Sequence, residues 1–282
     1  MPTYPFSQVN VFSSDPLMGN PLAVVHAADD LSDSQMLALA RWTNLSETVF
    51  LLQPSDPEAD YWVRIFTPAG ELPFAGHPTL GACHAWLSAG GCARNAEHIV
   101  QQCAAGLVKI RRQGVQLAFA APPMLRTGPL DAADVRQIAG GLGLSVDDIV
   151  HHQWVDNGPS WCAVVLESAA SVLSIKPDWS TLAPFNLGLV GWHESGSECA
   201  IEVRALVGHE ACEDPVTGSL NASLAQWLIG AGLLPDTYIA SQGTAMQRAG
   251  RIHLHRSGQD IWVGGQVVDV IKGEIDIPGA GE

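Results

Sequence analysis

Residues 71–87 read ELPFAGHPTLGACHAWL and residues 213–228 read EDPVTGSLNASLAQWL, and the two stretches share one pattern. Each has Glu, one residue, Pro, two residues and Gly, followed by small and apolar residues that end in Trp-Leu. The separation is 142 at the front, since 213 − 71, 215 − 73 and 218 − 76 all give 142, and 141 at the back, since 227 − 86 gives 141. This period is far above the roughly 20–50 residues of solenoid arrays and indicates a duplicated domain.

Two further landmarks recur in the same order. The turn Gly19-Asn20-Pro21 in the first half matches Asn157-Gly158-Pro159 in the second, and Arg64 matches Arg204 at an offset of 140. Strand-like runs surround each landmark, so the sequence of each half of the chain predicts several strands and a helix. We therefore predict an α+β protein of two similar domains, residues 1–121 and 122–282, joined near Pro122-Pro123.

The composition restricts the class of protein. A chain of 282 residues with 47% apolar and 15% charged residues is sufficient for two buried cores. The net charge of −15 disfavours nucleic acid and anionic lipid as partners, and no apolar run is long enough to span a membrane. The six cysteines form no CxxC pattern, and the start MPTYPFSQVN does not resemble a secretory signal. We expect a cytoplasmic location.

One helix outside the repeat is predicted from its apolar face. Asp33 or Ser34 can provide its N-cap, and the apolar positions that follow are Met36, Leu37, Ala40 and Trp42.

The repeated stretches predict two similar helix starts. Gly76 and Gly218 permit close backbone approach or a positive φ. His77 and Ser219 follow at the position expected for an N-cap, and Pro78 then fits the first helical position. A helix start presents unpaired N–H donors and is a potential anion site, so two facing starts could hold one carboxylate. The alternative is that both stretches are only well-capped core helices.

Three titratable residues accompany these turns. Asp214 lies five residues before Ser219, His77 titrates near neutral pH, and Glu47 begins an otherwise apolar strand. A carboxyl group in such a setting can have the raised pKa that a general acid/base needs, although an ordinary carboxylate at the end of a strand is the alternative. The histidine pairs His151-His152 and His253-x-His255 lack a third ligand at recognisable spacing, so we predict no metal site.

Together these segments resemble the PhzF family, the phenazine-biosynthesis isomerases and their relatives. The stretches that carry the resemblance are GNPLAVV (19–25), NLSETVF (44–50), RIFTPAGELPFAGHPTLGACHAW (64–86), EDPVTGS (213–219), SQGTAMQRAGRI (241–252) and VGGQVV (263–268). The resemblance implies a diaminopimelate epimerase-like fold, in which each domain is a barrel-like sheet around a central helix and the active site lies between the domains. It also implies a homodimer and chemistry without a metal or organic cofactor.

Carried over residue by residue, the family's catalytic glutamate falls on Glu47, its histidine on His77 and its aspartate on Asp214. Ser219 takes the place of its serine. The resemblance implies that Glu47 moves a proton between carbons of a dihydro-hydroxyanthranilate, while His77 and Asp214 position the amine or hydroxyl. The residues expected to bind the small carboxylate substrate are Ser219, Gly76, Gly218 and Asn20.

The sequence departs from the family after Arg204, where ALVGHEAC stands in place of an aromatic residue and a proline. It also differs from the epimerases, which use two cysteines as bases at the helix starts. Cys83 and Cys212 lie away from those positions, so racemisation by two thiols is disfavoured. An amino-acid racemase that uses Glu47 with a second acid, or a non-catalytic metabolite-binding protein, remain alternatives to the isomerase.

Overall fold

The computed structural model describes residues 1–278 of the chain. The chain divides into two compact units, one formed by Met1–Ala120 with the chain from Gly264 onward, and the other by Ala121–Val263.

The first unit contains eight strands and two helices before the boundary. In chain order these are β1 (Thr3–Val11), β2 (Asn20–Val25), α1 (Asp33–Thr43), β3 (Thr48–Leu52), β4 (Tyr61–Phe66), β5 (Glu71–Leu72), α2 (Gly76–Ser88), β6 (His98–Cys103), β7 (Gly106–Gln113) and β8 (Gln116–Ala120).

The second unit continues the alternation of strands and helices, and the last strand runs on into the first unit. These elements are α3 (Ala132–Leu142), β9 (His151–Trp154), β10 (Trp161–Leu166), α4 (Ala169–Ser174), α5 (Trp179–Leu182), β11 (Asn186–Trp192), β12 (Ile201–Val207), β13 (Cys212–Asp214), α6 (Gly218–Gly230), β14 (Thr237–Gln242), β15 (Gly250–Ser257) and β16 (Asp260–Asp276).

The strands of the first unit form a closed barrel. Their order is β1-β2-β3-β4-β6-β7-β8-β16, and β16 pairs back onto β1, so eight strands close the ring. Helix α2 packs against β1, β2, β3, β4, β6 and β8, and nine of its 13 residues are buried. A helix that is apolar and small nearly all round is typical of a position enclosed by sheet.

Glycine makes the close packing of α2 possible. A Cβ added at Gly81 would lie 2.4 Å from Cδ2 of Leu22 and 3.1 Å from Cγ2 of Val11, which project from β2 and β1. The outer face of the barrel carries α1, where Met36 and Ala40 pack with Phe50. Because β2 and β3 are covered on both faces, their residues are almost continuously buried.

The second unit repeats the arrangement of six of these strands. Its order is β15-β14-β12-β11-β10-β9, with β13 paired to β12. Nine of the 13 residues of α6 are buried, and α3, α4 and α5 cover the other face around Ile138, Val172 and Leu182.

The strand pairings confirm the duplication that the sequence predicts. Along β1-β2-β3-β4-β6-β7 the pairings are antiparallel, parallel, antiparallel, parallel and antiparallel. Along β9-β10-β11-β12-β14-β15 they follow the same series. The two central helices begin and end at matching positions of the sequence repeat, since 218 − 76 and 230 − 88 both give 142.

The extent of the second domain differs from the sequence-based division. The first boundary, between Ala120 and Ala121, lies one residue from the predicted one, but the chain from Gly264 onward, assigned to the second domain, belongs to the first unit. The cause is strand pairing, because Val267–Asp276 forms a ladder with all nine residues of β1. Pairing between two strands that are far apart in the sequence leaves no signal in the local sequence of either strand.

Three predicted helix details are wrong. The N-cap of α1 is Ser32, which forms a capping box with Gln35. Trp42, which was predicted to lie on the apolar face of this helix, is 80% exposed. The N-caps of α2 and α6 are Ala75 and Thr217. His77 and Ser219 are therefore the second helical residues.

Pro78 is compatible with this earlier start of α2. The first four N–H groups of any helix lack an intrahelical acceptor, so Pro78 is accommodated as well at the third helical position as at the first. Gly76 and Gly218 take helical conformations, not a positive φ.

Candidate active site

Glu47 and His77 meet in the first unit. Glu47 directly precedes β3, and His77 lies in the first turn of α2, which packs against β3. Nδ1 of His77 is 3.2 Å from Oε2 of Glu47, and the two side chains are only 5% and 15% exposed. Two residues that are 30 positions apart in the sequence thus form a buried acid–imidazole pair.

Burial determines the charge of His77 in this pair. The pKa of His77 falls from 6.5 to about 3 because the imidazole is desolvated, and the backbone carbonyl of Pro21 opposes this only in part. At neutral pH the ring is therefore neutral and has one donor and one acceptor nitrogen. With its proton on Nδ1, the neutral ring can donate to Oε2 both when Glu47 is a carboxylate and when Glu47 is protonated on Oε1, so the pair is compatible with both states of the glutamate.

The Gly19-Asn20-Pro21 turn borders this pair. Asn20 is completely buried at the start of β2, where it lies opposite Val11. The turn is held by Asn10, whose Oδ1 accepts from the N–H of Gly19 at 2.7 Å. A Cβ at Gly19 would lie 2.1 Å from the carbonyl oxygen of Val11, so only glycine fits there.

Asp214 is the last residue of β13 and lies opposite Ala205 of β12. Its Oδ2 accepts from the hydroxyl of Thr217 at 2.5 Å. Gln242, which is completely buried, bonds to both residues of this pair: Nε2 donates to the carbonyl of Asp214 at 3.0 Å and to Oγ1 of Thr217 at 2.9 Å. The Asp214 side chain and backbone are therefore held by a network of hydrogen bonds from Thr217 and Gln242.

Ser219 is fixed from two sides. Its Oγ accepts from Nε1 of Trp161 at 3.1 Å, and its carbonyl accepts from Nδ2 of Asn157 at 2.9 Å. Because the indole N–H can only donate, the hydroxyl proton of Ser219 is directed away from Trp161 and can donate elsewhere.

Neither central helix has a side-chain cap. Ala75 cannot provide one, and the hydroxyl of Thr217 points to Asp214. The helices begin at Gly76 and Gly218, so the backbone donors of each first turn lie beside His77 and Ser219, respectively. Such starts favour negatively charged groups.

The thiols are poorly placed to act as bases. Cys83 lies in the middle of α2, and burial raises its pKa to about 12. Cys212 precedes Asp214 on β13, and its pKa is raised to about 11, first by desolvation and then by Glu210. A thiolate is the reactive form of cysteine, so neither residue suits a two-thiol mechanism at neutral pH.

The structure groups the predicted site residues in two sets. The first unit holds Glu47, His77, Asn20 and Gly76, and the second holds Asp214, Gly218 and Ser219. Sequence reasoning missed the buried polar residues that support the second set. These are Thr217, Asn221, Gln242 and Trp161.

A partial signal for the missed residues was present. Thr217 lies within EDPVTGS and Gln242 within SQGTAMQ, two of the stretches that resemble the family. The sequence does not show, however, whether a glutamine amide will be buried or exposed.

The departure after Arg204 also has a structural reason at Gly208. A Cβ at Gly208 would lie 2.0 Å from the carbonyl oxygen of Leu182, so a side chain is excluded there.

Two kinds of site are not found among residues 1–278. No three His, Cys, Asp or Glu side chains are grouped so that they could hold a metal ion. No helix in this part of the chain is both long and apolar enough to cross a membrane.

Comparison with known proteins agrees with this architecture. Residues 9–273 match the family model described as phenazine biosynthesis-like protein (PhzC-PhzF). An uncharacterised isomerase of Pasteurella multocida is 35% identical over 99% of this chain and 96% of its own length. The trans-2,3-dihydro-3-hydroxyanthranilate isomerase of Pseudomonas chlororaphis is 36% identical over 63% of each chain. The PhzF-family crystal structure from Bacillus anthracis has a TM-score of 0.84 at 22% identity, covering 98% of this chain and 100% of its own.

The duplicated arrangement of strands around a central helix in each unit, and the relatives named as isomerases, define the class of protein as an isomerase of the diaminopimelate epimerase-like fold. The chain belongs to the PhzF family.

Proposed function

We propose that this isomerase acts without a cofactor and moves a proton between two carbons of a small, carboxylated, cyclic metabolite that resembles trans-2,3-dihydro-3-hydroxyanthranilate. The observation that supports the proposal best is the buried contact of 3.2 Å between Glu47 and a neutral His77. A general acid/base must change its protonation state during the reaction, and a neutral imidazole can bond to either state.

In this proposal Glu47 acts as the proton shuttle. Its carboxylate takes a proton from a substrate carbon while the electron pair of that C–H bond shifts into the conjugated system. The resulting carboxylic acid then returns the proton to a different carbon, so the double bond moves and the glutamate is regenerated. His77 faces Oε2, so Oε1 is the oxygen expected to carry the proton.

The second unit is proposed to contribute substrate binding to the same reaction. The hydroxyl of Ser219 can donate to the substrate carboxylate because Trp161 already occupies one of its acceptor positions. The first-turn N–H groups that begin at Gly218 add donors of the same kind. Asp214 is suited to accept from an amine or hydroxyl. The homodimer and the cytoplasmic location expected from the sequence stay predictions.

The test follows deuterium in the product. Trans-2,3-dihydro-3-hydroxyanthranilate is incubated in D2O with the wild-type chain, with Glu47→Gln, and with Glu58→Gln as a matched exposed control. We expect carbon-bound deuterium with the wild type and the control, and a rate at least ~10²-fold lower with Glu47→Gln. Activity that persists after dialysis against EDTA would support chemistry without a metal. Equal rates for wild type and Glu47→Gln would rule out the shuttle.

A further inference from the structure

Gln242 is the most completely bonded polar side chain beside the predicted site. Its amide is completely buried and makes four hydrogen bonds. Oε1 accepts from the N–H of Thr217 at 3.0 Å and from Nδ2 of Asn221 at 2.8 Å. Nε2 donates to the carbonyl of Asp214 at 3.0 Å and to Oγ1 of Thr217 at 2.9 Å. These bonds use both donors and both acceptor positions of the amide.

The orientation of this amide is set by the backbone. The N–H of Thr217 can only donate, so the atom that faces it is the oxygen of Gln242. The carbonyl of Asp214 can only accept, so the atom that faces it is the nitrogen. A flipped amide would place oxygen against oxygen and nitrogen against N–H.

The orientation of Gln242 decides where the proton of Thr217 points. Because Oγ1 of Thr217 accepts from Nε2, its single proton must be donated to another group. Oδ2 of Asp214 lies at 2.5 Å and receives it. The bonds therefore run in one direction, from the amide of Gln242 through the hydroxyl of Thr217 to the carboxylate of Asp214.

The first unit provides an internal comparison. There the completely buried Gln101 donates from Nε2 to Oγ1 of Thr79 at 3.0 Å and accepts from the hydroxyl of Tyr61 at 3.0 Å. Thr79 is the fourth residue of α2, as Asn221 is the fourth residue of α6. Both glutamines thus anchor a central helix, but Gln242 is also connected through the hydroxyl of Thr217 to the carboxylate of Asp214. Anchoring of a helix alone would not require this connection to a carboxylate.

We infer that Gln242 and Thr217 are positioning residues that hold Asp214 as an ionised hydrogen-bond acceptor directed at a donor group, an amine or a hydroxyl, of the substrate. Gln242 orients the hydroxyl of Thr217, and Thr217 stabilises the charged form of Asp214. The inference rests on the proposed function for the identity of the ligand, but the state of Asp214 can be measured without turnover.

The experiment is a pH titration of the ¹³C-labelled aspartate carboxyl groups by NMR, with the Asp214 signal assigned from Asp214→Asn. The chain is used whole and without substrate. We expect the midpoint of Asp214 to move up by about one pH unit in Thr217→Val, since a hydrogen bond to the charged form is lost. Thr217→Ser retains the hydroxyl and should titrate as the wild type does. Gln242→Leu should shift the midpoint in the same direction as Thr217→Val.

Gln101→Leu is the matched control, because it removes a buried amide that anchors the other central helix and makes no bond to Asp214. It should lower the thermal midpoint of the chain but leave the Asp214 titration unchanged. If Gln242→Leu does not fold, the comparison of Thr217→Val with Thr217→Ser carries the test. An unchanged Asp214 midpoint in folded Thr217→Val would overturn the inference.

The two proposals fail in different ways. If Glu47→Gln exchanges deuterium at the wild-type rate while the Asp214 midpoint responds as expected, the shuttle is wrong and the positioning network stands. If Glu47→Gln is inactive and the midpoint does not respond, the network is only an anchor of α6. With trans-2,3-dihydro-3-hydroxyanthranilate as substrate, Thr217→Val should also lower kcat/KM about tenfold, chiefly at low pH.

Discussion

At the scale of single residues, burial of His77 has a consequence for stability as well as for chemistry. The ring is 5% exposed, and its pKa falls from 6.5 to about 3 on folding. Between these values the unfolded chain binds a proton at this position and the folded chain does not. Stability from this group is therefore complete above pH 6.5 and decreases as the pH falls towards about 3.

We predict that His77→Asn reduces the pH dependence of stability in acid. Between pH 6 and pH 4 the wild type should lose up to about 1.4 kcal/mol of unfolding free energy per pH unit through this histidine, and the variant should lack that contribution. The measurement is urea unfolding at several pH values. His151→Asn, which changes an exposed histidine, is the control and should keep the wild-type slope. Equal slopes for wild type and His77→Asn would contradict the burial argument.

At the scale of secondary-structure elements, the duplication has kept one ion pair in both units. Arg64 of β4 bonds to Glu71 of β5 at 2.6 Å, and Arg204 of β12 bonds to Glu213 of β13 at 2.8 Å. The second pair is more buried, at 6% and 10% exposure against 16% and 34%. Nη1 of Arg204 also donates to the carbonyls of Val172 and Ile175 and so satisfies the C-terminal end of α4.

The two pairs should therefore differ in their contribution to stability. Glu213→Ala leaves a buried guanidinium without its carboxylate and should cost about 3 kcal/mol. Glu71→Ala should cost about 1 kcal/mol, because Arg64 is more exposed and also contacts Asp33. Chemical denaturation of the two variants checks this prediction, with each pair serving as the control for the other. A loss at Glu71 as large as that at Glu213 would show that burial does not distinguish the pairs.

At the scale of the whole molecule, the first unit depends on the far end of the chain. Its barrel is closed by β16, whose residues Val267–Asp276 pair with β1. The second unit has its own core between α3, α4, α5 and the sheet, and the residues of that core all come from positions 130–206. The two units therefore differ in their dependence on the C-terminal segment.

We predict that a chain ending at Val263 loses the barrel and keeps the second core. Hydrogen exchange should show α2 and β1 unprotected, while α3, β10 and β11 remain protected, because only the former elements belong to the opened barrel. Adding a peptide of residues 264–278 should restore protection of β1. Protection of α2 that survives the truncation would show that the barrel holds without β16.

Much of this architecture is local enough to be predicted. The repeated stretch around Pro78 and Gly218, the matched arginines and the small, apolar helices each carry their signal within about fifteen residues. The boundary after Ala120 is marked by Pro122-Pro123. The N-cap positions were not predictable in the same way, because glycine before a helix is compatible with either a cap or a first helical residue.

The sequence alone determined the class of fold, the duplication and the residue types available for acid/base chemistry, because these follow from hydrophobic pattern, turn residues and resemblance to a family. Three features follow only from the folded structure: His77 is neutral beside Glu47, Gln242 orients Thr217 towards Asp214, and the last strand returns to the first unit. Each of these depends on desolvation or hydrogen bonding between residues that are distant in the chain, and such interactions exist only after the strands have paired.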